Sequence, residues 1–133
     1  MERRSLSLLA LLIPVLLMAN PIGKDDAKQK ALAFISERKP AMARGAQQGL
    51  TLALTNDSYH VFNLGSNEGF VVVSGDDCTD DILGYADSGT FNVQDMPDNL
   101  RAWLQDYVDQ IAWMRANGVT KTTNSRAATR GVP

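Results

Sequence analysis

The sequence GFVVVSGDDCTDDILGY, at residues 69–85, holds two apolar runs separated by an acidic turn. The first run, residues 70–73, is continuously apolar and rich in β-branched side chains, which is typical of a strand buried on both faces. The second run, residues 82–85, has the length and composition of another short strand. We therefore expect a central strand covered by a helix on one side and by a helix or a partner on the other.

The residues on either side of this stretch predict the rest of the sheet. Leucines alternate with smaller residues over residues 50–54, the period-two pattern of a half-buried strand. Residues 59–64 are rich in β-formers, and the five residues 65–69 then connect them to the run at residue 70 as a hairpin. Residues 90–93 are expected to add a short edge strand.

Two helices are predicted to flank these strands. Residues 24–39 have apolar side chains at helical spacing, two aspartates in the first turn and a proline beyond the last turn. A stronger periodic pattern precedes the stop signal Asn117-Gly118, at Leu100, Trp103, Leu104, Tyr107, Val108, Ile111 and Met114. Residues 41–49 are small and polar, so a loop is expected there. The predicted fold class is α+β, a small antiparallel sheet packed against an N-terminal and a C-terminal amphipathic helix.

The N-terminal residues 1–19 have the parts of an export signal: a basic start, an apolar run and a small residue, Ala19, suited to cleavage. The run is shorter than the about 20 residues of a normal membrane span, so stable membrane insertion is not expected. The sequence predicts a signal peptide at residues 1–19, one domain at residues 20–118 and a flexible tail or linker at residues 119–133. The expected location is periplasmic or extracellular.

Composition and charge indicate a single globular domain and argue against a nucleic-acid-binding protein. The chain has 133 residues, 44% hydrophobic and 21% charged, as expected for one globular domain. Its net charge of −2, without a Lys/Arg stripe, argues against nucleic-acid binding.

Residues that could carry catalysis are few. Cys78 is the sole cysteine and lies among four aspartates, which should raise the pKa of its thiol and make it a poor nucleophile. His60, the sole histidine, is expected on the sheet surface or at an interface. The acidic run 76–81 fails as a calcium loop because Asp81 stands where a turn glycine is required, so a solvated turn is expected. We predict no enzyme, no metal site and no cofactor.

The aromatic residues of the second helix divide into two groups. Trp103 and Tyr107 fall on the apolar stripe and are expected in the core. Trp113 falls off the stripe, so we expect it to be exposed and available for an interface.

The order of several spaced motifs resembles a known family. Residues 69–76, 82–85, 88–91 and 107–111 are similar in sequence to the propeptide of streptopain-type cysteine peptidases and to the related stand-alone, Spi-like inhibitors. The resemblance implies a domain that binds across the active-site cleft of such a peptidase, displaces its catalytic histidine and keeps it latent. The peptidase partner could lie in the same chain or in another one.

The resemblance implies that the hairpin of residues 63–70 is the segment that blocks the peptidase cleft. Its polar residues are the proposed binding residues, Asn63, Ser66, Asn67 and Glu68, with Trp113 as a further contact. We interpret Asn63 and Asn67 as cleft-inserting residues, because an asparagine offers both a donor and an acceptor. The alternative is an ordinary hairpin turn that uses asparagine and glycine for backbone geometry.

Other readings remain open from the sequence. The chain is either a stand-alone inhibitor or the propeptide part of a zymogen, in which case Arg126 or Arg130 are candidate processing points. A secreted adhesion or sheet-pairing module without a peptidase partner would need only exposed strand edges and Trp113. A thiol enzyme that uses Cys78 is a third possibility, which the aspartates disfavour.

Overall fold

The computed structural model describes residues 20–38, 42–43, 46 and 49–120. The predicted signal peptide with Ala19 and most of the predicted tail, with Arg126 and Arg130, lie outside the described residues. The elements are α1 (Lys24–Arg38), β1 (Leu50–Thr55), β2 (Tyr59–Leu64), β3 (Phe70–Ser74), β4 (Ile82–Ala86), a 3-10 helix (Val93–Asp95) and α2 (Asp98–Ala116).

The four strands form one antiparallel sheet in the order β1-β2-β3-β4. The central pair is the predicted hairpin, in which Tyr59 pairs with Ser74 and Asn63 with Phe70. Each strand pairs with the next in the chain, as short connections require. The predicted α+β fold is confirmed.

The two helices cover opposite faces of the sheet. On one face α1 packs against a core that includes Val71 and Val73. On the other face Val72 packs with Leu104 of α2, and a side chain at Gly84 would collide with the Trp103 ring. The expectation that residues 70–73 are covered on both faces is confirmed, with a helix on each side.

Strand β1 departs from the predicted alternation. A bulge lies between Leu52 and Leu54, so that Leu52 pairs with Phe62 and Leu54 pairs with the adjacent Val61. The extra residue in a bulge changes which face later side chains point to. Leu52 therefore packs on the α1 side, whereas Leu54 packs on the α2 side.

Two predictions about connections are wrong. Met42 and Ala43 are helical where a loop was expected, because Met42 is an apolar anchor in the core beneath α1 and only 1% exposed. Residues 90–93 do not form an edge strand. Asn92 instead accepts a hydrogen bond from the Gln94 amide and caps the 3-10 helix.

The acidic turn after β3 is folded into the domain and is not the solvated turn expected. Asp76 and Cys78 are buried, because the Asp76 carboxylate accepts hydrogen bonds from the Cys78 amide at 2.9 Å and from Arg115 Nε at 2.7 Å. Burial, together with the hydrogen bond to Asp76 and its charge, raises the pKa of Cys78 to about 11. The expected direction is confirmed, but burial is the larger cause.

His60 is buried rather than on the sheet surface. Its Nε2 donates to the carbonyl of Ile22 at 2.7 Å, and its Nδ1 lies 2.6 Å from the Thr55 hydroxyl. The prediction of a surface position is wrong because residues 20–23 cover this end of the sheet. His60 and Ile22 are 38 residues apart in the chain, so the local sequence pattern did not indicate this contact.

Candidate functional site

The β2–β3 hairpin loop is joined to the connection that follows β4. Glu68 forms a β-bridge with Gly89, the Gly69 amide donates to the Gly89 carbonyl at 2.8 Å, and the Gly89 amide donates to the Asn67 carbonyl at 3.1 Å. Residues 65–69 and 87–91 therefore make one continuous surface at this end of the sheet, which we call the two-loop surface.

Gly69 makes this close approach possible. Its φ of +111° lies in a region that favours glycine, and a side chain there would collide with the Ala86 carbonyl. From the sequence, Gly69 is expected only as a turn residue. The strand pattern immediately after it signalled a hairpin but gave no sign of a second loop beside it.

The Asn63 side chain holds the second loop of this surface, residues 87–91, through the backbone of Phe91. Its Nδ2 donates to the Phe91 carbonyl at 3.0 Å, and its Oδ1 accepts from the Phe91 amide at 2.7 Å. Phe91 in turn is buried and packs edge-on against Phe70, with ring centroids 5.5 Å apart. In the free domain the Asn63 amide is thus engaged with the backbone of this chain, a role that the sequence did not suggest.

Asn67 is the exposed residue at the loop's turn. Its φ of +66° is left-handed, a conformation that asparagine tolerates better than most side chains. Its Oδ1 accepts a hydrogen bond from the Thr90 hydroxyl at 3.2 Å. Within the described residues its Nδ2 has no hydrogen-bond partner, so this amide can donate to another molecule.

The remaining groups make the two-loop surface polar and weakly acidic. Ser66 is exposed and Glu68 is half-buried, and the charged residues of the two loops are Glu68 and Asp87. Neither loop contains a cysteine or histidine. In the described part of the chain no group of three or more His, Cys, Asp or Glu side chains could hold a metal ion. The surface can offer hydrogen bonds and a fixed shape to a partner.

Trp113 lies away from the two-loop surface. It is 60% exposed, as predicted, and belongs to the last turns of α2. Its neighbour Arg115 donates to the Asp57 carbonyl at 2.6 Å, in the β1–β2 turn at the opposite end of the sheet. Trp103 and Tyr107, by contrast, are half-buried. They pack edge-to-face with each other and against the α2 side of the core, the side on which they were expected.

Among residues 20–38, 42–43, 46 and 49–120, no helix has the length and apolar character needed to cross a bilayer.

Comparison with known proteins gives a family and two kinds of relative. The profile of the family described as Spi protease inhibitor matches residues 19–111. A thiol protease/hemagglutinin, PrtT, of Porphyromonas gingivalis is 35% identical over 114 residues, which cover 77% of this chain and 12% of that protein. Streptopain of Streptococcus pyogenes is 34% identical over 125 residues, which cover 81% of this chain and 30% of that protein.

The chain thus spans less than a third of the length of either relative. No solved structure matches it. The resemblance to the streptopain-type propeptide and inhibitor family is confirmed, as is the prediction of an inhibitor or propeptide role. The chain belongs to the Spi protease inhibitor family.

Proposed function

We propose that this domain binds across the active-site cleft of a streptopain-type cysteine peptidase and keeps that peptidase inactive. Support comes from the family and from two relatives whose names describe a thiol protease and a streptopain. The domain would act by occupying the cleft, because its two-loop surface carries neither a cysteine nor a histidine.

The observation that carries this proposal is the preformed geometry of the two-loop surface. Backbone hydrogen bonds join Gly69 to Gly89 and Gly89 to Asn67, and the Asn63 side chain holds Phe91 in place. A loop ordered before binding loses less conformational entropy when it docks, so more of its contact energy appears as affinity.

Asn67 suits a residue that blocks a cleft without being cut. Its left-handed backbone interrupts the extended conformation, so the loop cannot lie in the cleft as one continuous extended strand. We propose that Asn67, Ser66 and Glu68 contact the peptidase and that Asn63 positions the second loop. Trp113 would make a separate contact at the other end of the domain.

The arrangement of partner and domain is also part of the proposal. The peptidase is supplied either in trans, to a free inhibitor, or in cis, within a zymogen. We propose that residues 1–19 act as an export signal cleaved after Ala19 and that Arg126 or Arg130 marks a processing point in the zymogen case.

The experiment is an inhibition assay with the full chain. Purified protein is added to streptopain in increasing amounts, and the initial rate of peptide hydrolysis is measured. The proposal expects slowing at micromolar concentrations, and an unchanged rate at micromolar excess would contradict it. A secreted adhesion module would instead self-associate and leave the peptidase rate unchanged.

A further inference from the structure

The N-terminal strap, residues 20–23, is attached to the loop that follows β3. Pro21 forms an antiparallel bridge with Asp76. The Ile22 amide donates to the Gly75 carbonyl at 2.8 Å, and the Asp77 amide donates to the Asn20 carbonyl at 3.1 Å. These bonds fix the first residue of the strap directly opposite Asp77.

The backbone nitrogen of Asn20 also donates to a side chain. It lies 2.9 Å from Oδ1 of Asp77. In the uncut chain this nitrogen belongs to the peptide bond that joins Ala19 to Asn20 and carries no charge. The Asp77 carboxylate therefore pairs with a neutral donor at a position where a cation would bind better.

Hydrolysis of the Ala19–Asn20 bond changes that donor. Water adds its hydroxyl to the Ala19 carbonyl carbon and a proton to the Asn20 nitrogen. The new α-amine takes up a further proton from solvent at neutral pH, because an α-amino group has a pKa of roughly 7.7–8.0. The atom that faces Asp77 then carries a positive charge.

We propose that Asp77 is a binding site for the α-ammonium group of Asn20, formed when export cleaves the chain after Ala19. The inference rests on the proposed export signal and goes beyond the inhibitory role. Cleavage one residue earlier or later would move the ammonium by about 3.8 Å along the strap, out of this contact. The site thus matches one N-terminus and not its neighbours.

The other charges near the strap leave Asp77 available for this role. The adjacent Asp76 carboxylate is already paired with Arg115. Lys24 begins α1 after the strap has ended. Asp77 is half-buried, and among the described residues its carboxylate accepts a hydrogen bond from the Asn20 nitrogen.

Binding of the α-ammonium group by Asp77 would keep the N-terminal strap in place over His60. The Ile22 carbonyl accepts the hydrogen bond from His60 Nε2, so loss of the strap would expose a buried imidazole. Export processing would in this way stabilise the end of the domain opposite the two-loop surface.

The first test determines the N-terminus. The full chain, including residues 1–19, is expressed in an exporting bacterium, and the exported product is examined by intact mass and N-terminal peptide analysis. The proposal requires a product that begins at Asn20. A product that begins elsewhere, or an uncleaved chain, would overturn it.

The second test measures the ammonium contact in that exported product. Acylation at about pH 6.5 favours the α-amine over lysines because its pKa is lower. Pairing with Asp77 should make the α-amine of the wild type react roughly 2- to 5-fold more slowly than that of Asp77→Asn, as expected for an ion pair near the surface.

The matched control is Asp106→Asn, which removes the same charge from an exposed position on α2. It should react at the wild-type rate. Equal rates for wild type and Asp77→Asn would overturn the proposal. Peptidase inhibition is measured on the same samples as a separate readout, because the acylation rates decide the role of Asp77 whereas inhibition by the wild-type product decides the proposed function.

Discussion

Arg115, in the last turn of α2, donates from its Nε to Oδ2 of Asp76 at 2.7 Å, and the Asp76 side chain is only 2% exposed. A second nitrogen of the same guanidinium donates to the Asp57 carbonyl at 2.6 Å. One side chain therefore joins the C-terminal helix to the β1–β2 turn and to the loop after β3, which also holds the N-terminal strap.

Replacing Arg115 should destabilise the domain strongly. Arg115→Ala leaves the buried Asp76 carboxylate without its cation, and we expect a loss of about 2–3 kcal/mol in the free energy of unfolding. Urea denaturation followed by circular dichroism measures it. Arg101→Ala removes an exposed arginine of the same helix and should cost less than about 0.5 kcal/mol. Equal losses in the two variants would contradict the assigned role of the ion pair.

Replacing Asn63 should loosen the two-loop surface. Asn63→Ala removes both hydrogen bonds to Phe91 and leaves backbone groups of a buried residue unpaired, which should cost about 2 kcal/mol of stability. Inhibition should weaken as well, because the second loop is no longer positioned. Hydrogen exchange of the Phe91 amide reports the loosening directly. Asn99→Ala, at an exposed position of α2, serves as the control and should change neither quantity.

The four strands of the sheet and the helices α1 and α2 were predictable because their patterns are local. The apolar run at residues 70–73 and the stripe on α2 each reveal burial within a few residues of sequence. The side-chain contacts were not predictable, since Asn63 meets Phe91 across 28 residues and Asp76 meets Arg115 across 39. Asp76 was therefore predicted to be exposed to solvent because it is charged. Its burial is possible because it pairs with Arg115, which is distant in the sequence.

The packing of Leu52 and Leu54 on opposite faces of the sheet could not be predicted for a different reason. Period-two alternation assumes unbroken pairing, and the bulge between Leu52 and Leu54 breaks it. Residues 65–69 were correctly assigned to a hairpin loop, but a turn pattern specifies only its own backbone. The second loop of the candidate site therefore appeared only in the folded chain.

Two substitutions of Asn67 should separate its backbone role from its side-chain role. Asn67→Gly keeps the left-handed backbone and should change stability by no more than about 0.5 kcal/mol. Asn67→Ala should lose about 1 kcal/mol, because alanine tolerates a φ of +66° poorly.

If the Asn67 amide contacts the peptidase, both variants should inhibit streptopain about tenfold more weakly, the effect of one lost hydrogen bond to a partner. Gln110→Ala, an exposed residue on α2, should inhibit normally. Full inhibition by Asn67→Gly would show that the loop's backbone, rather than the amide, makes the contact.

The raised pKa of Cys78 should appear in its alkylation kinetics. Because burial and Asp76 raise that pKa to about 11, the rate with iodoacetamide should increase about tenfold per pH unit from pH 8 to pH 10 and level off only near pH 11. In urea the plateau should fall near pH 9, the ordinary range of a thiol. A plateau near pH 9 in the folded protein would contradict the buried, protonated state.

The raised pKa of Cys78 also predicts how the stability of the domain changes with pH. Between about pH 9 and 11 the unfolded chain loses the Cys78 proton before the folded chain does, so the free energy of unfolding should fall across that window. Cys78→Ala should show a smaller fall between the same pH values, measured by urea denaturation at each pH.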